Sequence, residues 1–156
     1  MKSSFLIVAD RGNLKAFRAE SAPNGRPPRL QLVQALTLTD AHTKTSQRNT
    51  DLAGRYSAQT PASQMQGKHQ STAAETQLDL EIDRRIVKQL AGHISTILRA
   101  EHPGSWCFAA PAVINGAILD ELEPEFRRQV AENVSADLVN ADTSALLGHF
   151  ENVKAA

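Results

Sequence analysis

The segment QMQGKHQST (64–72) sets a glycine, a lysine, a histidine and a glutamine together just before the longest helical pattern in the chain. Lys68 can meet a phosphate, and His69 can stack on a base or donate a hydrogen bond to it. Upstream, Lys44, Arg48 and Arg55 punctuate a run rich in Thr, Ser, Gln and Ala. With Gln70, these residues make Lys44, Arg48, Arg55, Lys68, His69 and Gln70 the candidates for contact with RNA.

Other chemistries find less support. Two-metal phosphodiester cleavage needs several carboxylates converging on ions about 4 Å apart. Asp10, after the first apolar run, and Asp137, after the last, do not make such a cluster, and Asp10 suits a turn that bonds to its own backbone. His42, His69, His93, His102 and His149 include no pair at ligand spacing, so no metal site is expected. Cys107 lies in an apolar run, where a thiol behaves as a small hydrophobe. The Gly-containing turns lack the spacing of a phosphate-binding loop. No catalytic residue and no cofactor are assigned.

A chain of 156 residues with 41% hydrophobic residues suits one domain, 1–156, with a real core. The net charge is zero but unevenly spread. Residues 1–70 hold ten Lys and Arg against four Asp and Glu, and residues 71–156 hold seven against thirteen. Either the basic half meets an anionic partner, or the two halves attract each other within one fold. One cysteine fits a reducing compartment. The opening apolar run is interrupted at Asp10 and is too short for a membrane span, so a cytoplasmic protein without membrane insertion is expected.

The elements that must position these residues follow from periodicity. SSFLIVAD (3–10) reads as a buried strand and RGN (11–13) as a tight turn. LKAFRAE (14–20) alternates, with Leu14, Ala16 and Arg18 on one face and Lys15 and Phe17 on the other. RLQLVQALTL (29–38) follows a breaker-rich loop and sets Leu30, Leu32, Gln34, Leu36 and Leu38 on one face. Residues 40–72 show no periodicity and read as a long flexible loop, a length that is usually functional or disordered. Thr72 with Glu75, or Thr76 with Asp79, then forms a capping box. Ile82, Ile86, Leu90, Ile94 and Ile97 give the apolar stripe of a long helix, widened by Val87 and Leu98.

EHPGS (101–105) ends that helix and SWCFAA (105–110) reads as a strand. Pro111 opens a helix with Val113, Ile114, Ala117 and Ile118 on its buried face. EPEFRRQ (123–129) adds one or two helical turns. In VAENVSADL (130–138), Val130, Val134 and Leu138 fit a helix, and Val130, Val134 and Ala136 fit a half-buried strand. The strand is preferred because a helix capped at Asp142 follows, burying Leu146, Leu147, Phe150 and Val153. The expected fold is α/β: an antiparallel three-strand meander followed by βα units in a mixed sheet, the order of the ribonuclease H-like architecture.

Two segments carry a family resemblance. VADRGNLKAFR (8–18) resembles the opening hairpin of the bacterial host attachment protein family. CFAAPAVINGAILDELEPEFRRQVAENVSADLVNADTSALLGHF (107–150) resembles that family's second half, with its Ala-Pro step after a strand. The family is in turn similar to the central, peptidyl-tRNA-hydrolysing domain of class 1 release factors. That similarity implies a Gly-Gly-Gln tip before the long helix. Gln70 and Ser71 match the end of such a tip, but Lys68 and His69 stand where the glycines would be. Paired glycines give backbone freedom and close approach that these residues do not, which argues against orthodox peptide release.

The reading favoured is a non-catalytic cytoplasmic binding protein that touches the ribosome or tRNA through its basic loop. The alternatives are a protein-interaction factor acting indirectly in attachment to host cells, and a peptidyl-tRNA hydrolase-like enzyme centred on Gln70. The sequence does not determine the oligomeric state.

Overall fold

The computed structural model describes residues 2–38 and 61–155, with side chains at 61–76, 78 and 79 outside the description. Lys44, Arg48 and Arg55 lie outside the described residues. Five strands form one sheet in the order β3-β2-β1-β4-β5. The strands are β1 (Phe5–Ala9), β2 (Asn13–Glu20), β3 (Arg29–Thr37), β4 (Trp106–Ala110) and β5 (Val130–Ser135). The helices are α1 (Pro61–Glu101), α2 (Ala112–Glu121), α3 (Pro124–Arg128) and α4 (Thr143–His149). β1–β2 and β2–β3 pair antiparallel, whereas β1–β4 and β4–β5 pair parallel. The meander and the two parallel additions are the arrangement expected from the sequence.

The sheet is covered on both faces. On one, Ile7, Leu14, Trp106 and Phe108 meet Ile86, Leu90 and Ile94 of α1, Ile114 and Ile118 of α2, and Phe126 of α3. On the other, Leu6, Val8, Phe17 and Cys107 meet Leu138, Leu146, Phe150 and Val153. β1 and β4, central and buried at every position, are therefore apolar throughout. The stripe expected for α1 is the one it buries, with Ile82 partly covered at its start.

Two hydrogen bonds fix elements around this core. Trp106 Nε1 donates to Phe126 O at 2.9 Å, which ties α3 to the sheet, and its ring meets Phe108 edge-on. The Asp142 side chain accepts from Ala145 N at 2.9 Å, the N-cap expected for the last helix.

Three details correct the sequence reading. α1 spans Pro61–Glu101, and proline fits a first turn, so Gly67–Ser71 fall inside a helix. Thr72 and Thr76 are then interior positions and not caps, and no acidic residue lies in the first turn. Second, β3 carries an extra residue opposite Ala16/Phe17. The bulge splits its apolar set: Leu30 packs on the α4 face, Val33 and Leu36 on the α1 face, and Leu32 is 52% exposed. β5 likewise has an irregularity opposite Trp106/Cys107, so Val130 packs with the α1 face and Val134 with the other. Third, α2 buries Ile114, Asn115 and Ile118, while Val113 is 83% exposed and Ala117 also faces solvent.

Candidate functional site

In an open α/β sheet, ligands gather at the carboxyl ends of parallel strands, where neighbouring connections leave in opposite directions. Here that point lies between β1 and β4. β1 runs on into the hairpin with β2, whereas β4 runs on into α2 and then β5. The sequence puts Asp10 after β1, Ala110-Pro111 after β4, and Ser135-Ala136-Asp137 after β5.

Asp10 is occupied by the turn. Its Oδ1 accepts from Gly12 N at 2.7 Å and from Asn13 N at 2.6 Å. This is the turn role expected of it, in which the carboxylate satisfies two backbone donors that the reversal would otherwise strand. Lys15, two residues into β2, donates from Nζ to Val139 O at 2.8 Å and so fastens the chain that leaves β5.

Beside them sits a pair that the sequence reading did not single out. Asn115 of α2 is 3% exposed. Its Nδ2 donates to Asn133 Oδ1 at 2.8 Å, and Asn133 Nδ2 donates back to Asn115 Oδ1 at 2.7 Å. Asn115 Nδ2 also reaches Val134 O at 3.2 Å and Ala110 O at 3.3 Å. One buried amide thus joins α2 to the ends of β4 and β5. The signal for it was present: Asn115 interrupts an otherwise apolar helix face between Ile114 and Ile118.

Cys107 is fully buried in β4. Burial, followed by the nearby Glu132 carboxylate, pushes its thiol up to about 11. A thiol so held is protonated at neutral pH and is no nucleophile. Glu132 itself accepts from Asn152 N at 2.9 Å and Glu151 N at 3.3 Å, which holds the C-terminal segment. Among the described residues no group of three or more His, Cys, Asp or Glu is placed to hold a metal ion.

Of the six RNA-contact candidates, the structure places three by backbone alone. Lys68, His69 and Gln70 are consecutive positions of α1. The charge asymmetry has a partly internal explanation: Arg11 pairs with Asp83, and Arg18 with Glu101. Both pairs link the basic first half to the acidic second half. No helix among the described residues is long and apolar enough to cross a membrane.

The sequence model of a protein family, described as a protein required for attachment to host cells, matches residues 5–150. The chain belongs to that family. No curated protein matches it. Among solved structures, an archaeal translation termination factor superposes with a TM-score of 0.37 at 12% identity. The match covers 83% of this chain and 29% of that one, so the chain spans less than a third of the factor's length.

Proposed function

We propose that this host attachment family member is a non-catalytic cytoplasmic binding protein that contacts the ribosome or tRNA through Lys44, Arg48, Arg55, Lys68, His69 and Gln70. The observation that carries the reading is the use of the polar groups where an enzyme of this topology would do its chemistry. Asp10 closes a turn, Lys15 holds a carbonyl, and Asn115 and Asn133 bond to each other. Arg11 and Arg18 are engaged with carboxylates of the second half, so neither is offered to an external anion. The helical backbone at Gly67–Ser71, with Lys68 and His69 in place of glycines, argues against peptidyl-tRNA hydrolysis.

The test is co-sedimentation of the full chain with ribosomes, beside a variant with Lys44, Arg48, Arg55 and Lys68 each changed to Glu. Binding lost in the variant, at an unchanged melting temperature, is the expected result. Undiminished binding by the variant would contradict the assignment.

A second reading, a protein-interaction factor acting indirectly in attachment, draws on the family description. The exposed Val113 at the start of α2 offers an apolar contact for it. Such a contact would persist as salt rises, whereas phosphate contacts weaken steeply.

A further inference from the structure

The solvent face of α1 carries a second feature that the reading above does not use. From Arg84 to Ala100 the helix contains Arg84, Arg85, Lys88 and Arg99 and no carboxylate. Ile86, Val87, Leu90, Ala91 and Ile94 take the buried face, which leaves Arg84, Arg85, Lys88, Gly92, His93 and Thr96 exposed. In helical geometry Arg84, Lys88, Gly92 and Thr96 form one row, and Arg85 and His93 belong to the row beside it.

Three of these four cations have no ion pair among the described residues. Arg99 is held by Glu123 and lies over the Phe126 ring, but Arg84, Arg85 and Lys88 have no ion pair among the described residues. Two carboxylates adjoin the strip: Asp83 is taken by Arg11 from the hairpin, and Glu81, exposed one turn before Arg85, makes no ion pair among the described residues. Nor does the helix dipole account for the three cations. Its favourable effect on cations is confined to the last turn, and Lys88 is about three and a half turns from Glu101. Arg84 and Lys88 stand one turn apart, where like charges repel, so their placement costs helix stability. Beyond them the strip stays low: Gly92 opens onto free space, with nothing near where a Cβ would project.

We propose that Arg84, Arg85 and Lys88 form a second contact surface for RNA, seating a duplex phosphate backbone along the exposed rows of α1. The proposal rests on the nucleic-acid reading above. An unpaired basic strip with no acidic residue and a low, polar continuation complements a polyanion. Arg84 and Arg85 offer fork-shaped donors that suit phosphate oxygens, and Lys88 adds a point charge. Contact with phosphates alone carries no base preference, so this surface positions RNA without reading its sequence.

The test is fluorescence anisotropy of a labelled short duplex RNA against the full chain in a salt series. The wild type is compared with an Arg84→Glu/Arg85→Glu/Lys88→Glu variant and with the four-site variant described above. The strip variant is expected to fold with an unchanged melting temperature and to lose at least about tenfold in affinity at low salt. With neutral Gln at the three positions, the log–log salt slope should fall by about 2 to 3, since each phosphate contact contributes about 0.9. Wild-type affinity and slope in both strip variants, with binding lost only in the four-site variant, would overturn this inference and leave the previous one standing. No RNA binding by the wild type at low salt would overturn it whether or not ribosomes are bound. Binding to phosphatidylserine vesicles but not to RNA, abolished by the strip substitutions, would reassign the surface to a membrane and overturn it too.

Discussion

The amide pair at the end of the sheet gives the sharpest quantitative prediction. Asn115 and Asn133 exchange two hydrogen bonds at 2.8 and 2.7 Å, and Asn115 alone is buried. A neutral hydrogen bond contributes about 0.5–1.5 kcal/mol net, and a buried polar group left without a partner costs about 1–3 kcal/mol. Asn115→Ala removes both bonds and the donor shared with Ala110 O and Val134 O, but Asn133 is exposed and regains water. Its cost should be about 2–3 kcal/mol. Asn133→Ala removes the same two bonds and strands the buried Asn115 Oδ1, while Nδ2 keeps Val134 O and Ala110 O, at about 1–3 kcal/mol. Because each substitution breaks the same pair, the double variant should be less destabilised than the sum, with a coupling of about 1–2 kcal/mol. Urea denaturation of the wild type and three variants measures this directly, with midpoint shifts at constant m reporting changes in stability alone. A coupling below about 0.3 kcal/mol, within ordinary additivity, would refute the pairing.

Three further outcomes are expected. Leu90 is fully buried at the centre of the α1 stripe, so Leu90→Ala should cost about 2–5 kcal/mol in denaturant titration, and a loss below about 1 kcal/mol would place it on the surface. Asp142→Ala removes the N-cap of α4 and should cost about 1 kcal/mol, seen as a small loss of thermal stability. The Cys107 thiol, raised from 9.0 to about 11, should resist alkylation in the folded protein at pH 8 and react on unfolding. A raised acid favours folding below its unfolded value and loses that contribution as the pH climbs toward the folded one. Stability should therefore fall between about pH 9 and 11, and a Cys107→Ser variant should show less of that fall.

Most of the scaffold could be read from periodicity because its strands and helices bury one face or both. Uninterrupted apolar runs marked β1 and β4, and Ile86, Leu90 and Ile94 marked α1. What escaped depends on single residues displaced from a pattern. The irregularity in β3 moves Val33 and Leu36 to the opposite face from Leu30, and alternation alone does not reveal where an extra residue falls. The early start of α1 was hidden because Pro61–Ser71 lack an apolar stripe, and Thr72 and Glu75 imitate a capping box. Asn115 was legible as a polar residue on a buried face, but its partner Asn133 is distant in sequence and comes to it only through the β4–β5 pairing. The strip of Arg84, Arg85 and Lys88 was visible as composition. Only the pairing of Asp83 with Arg11 and of Arg99 with Glu123 shows which cations of this face are engaged inside the fold.

The most direct test of the central claim is the salt dependence of ribosome binding by the full chain. A binding protein that works through phosphate contacts should sediment with ribosomes at low salt and be released as salt rises, with a log–log slope of about −3 or steeper if four basic contacts are made. No association at low salt, or association that salt does not weaken, would contradict the claim and turn attention to a protein partner.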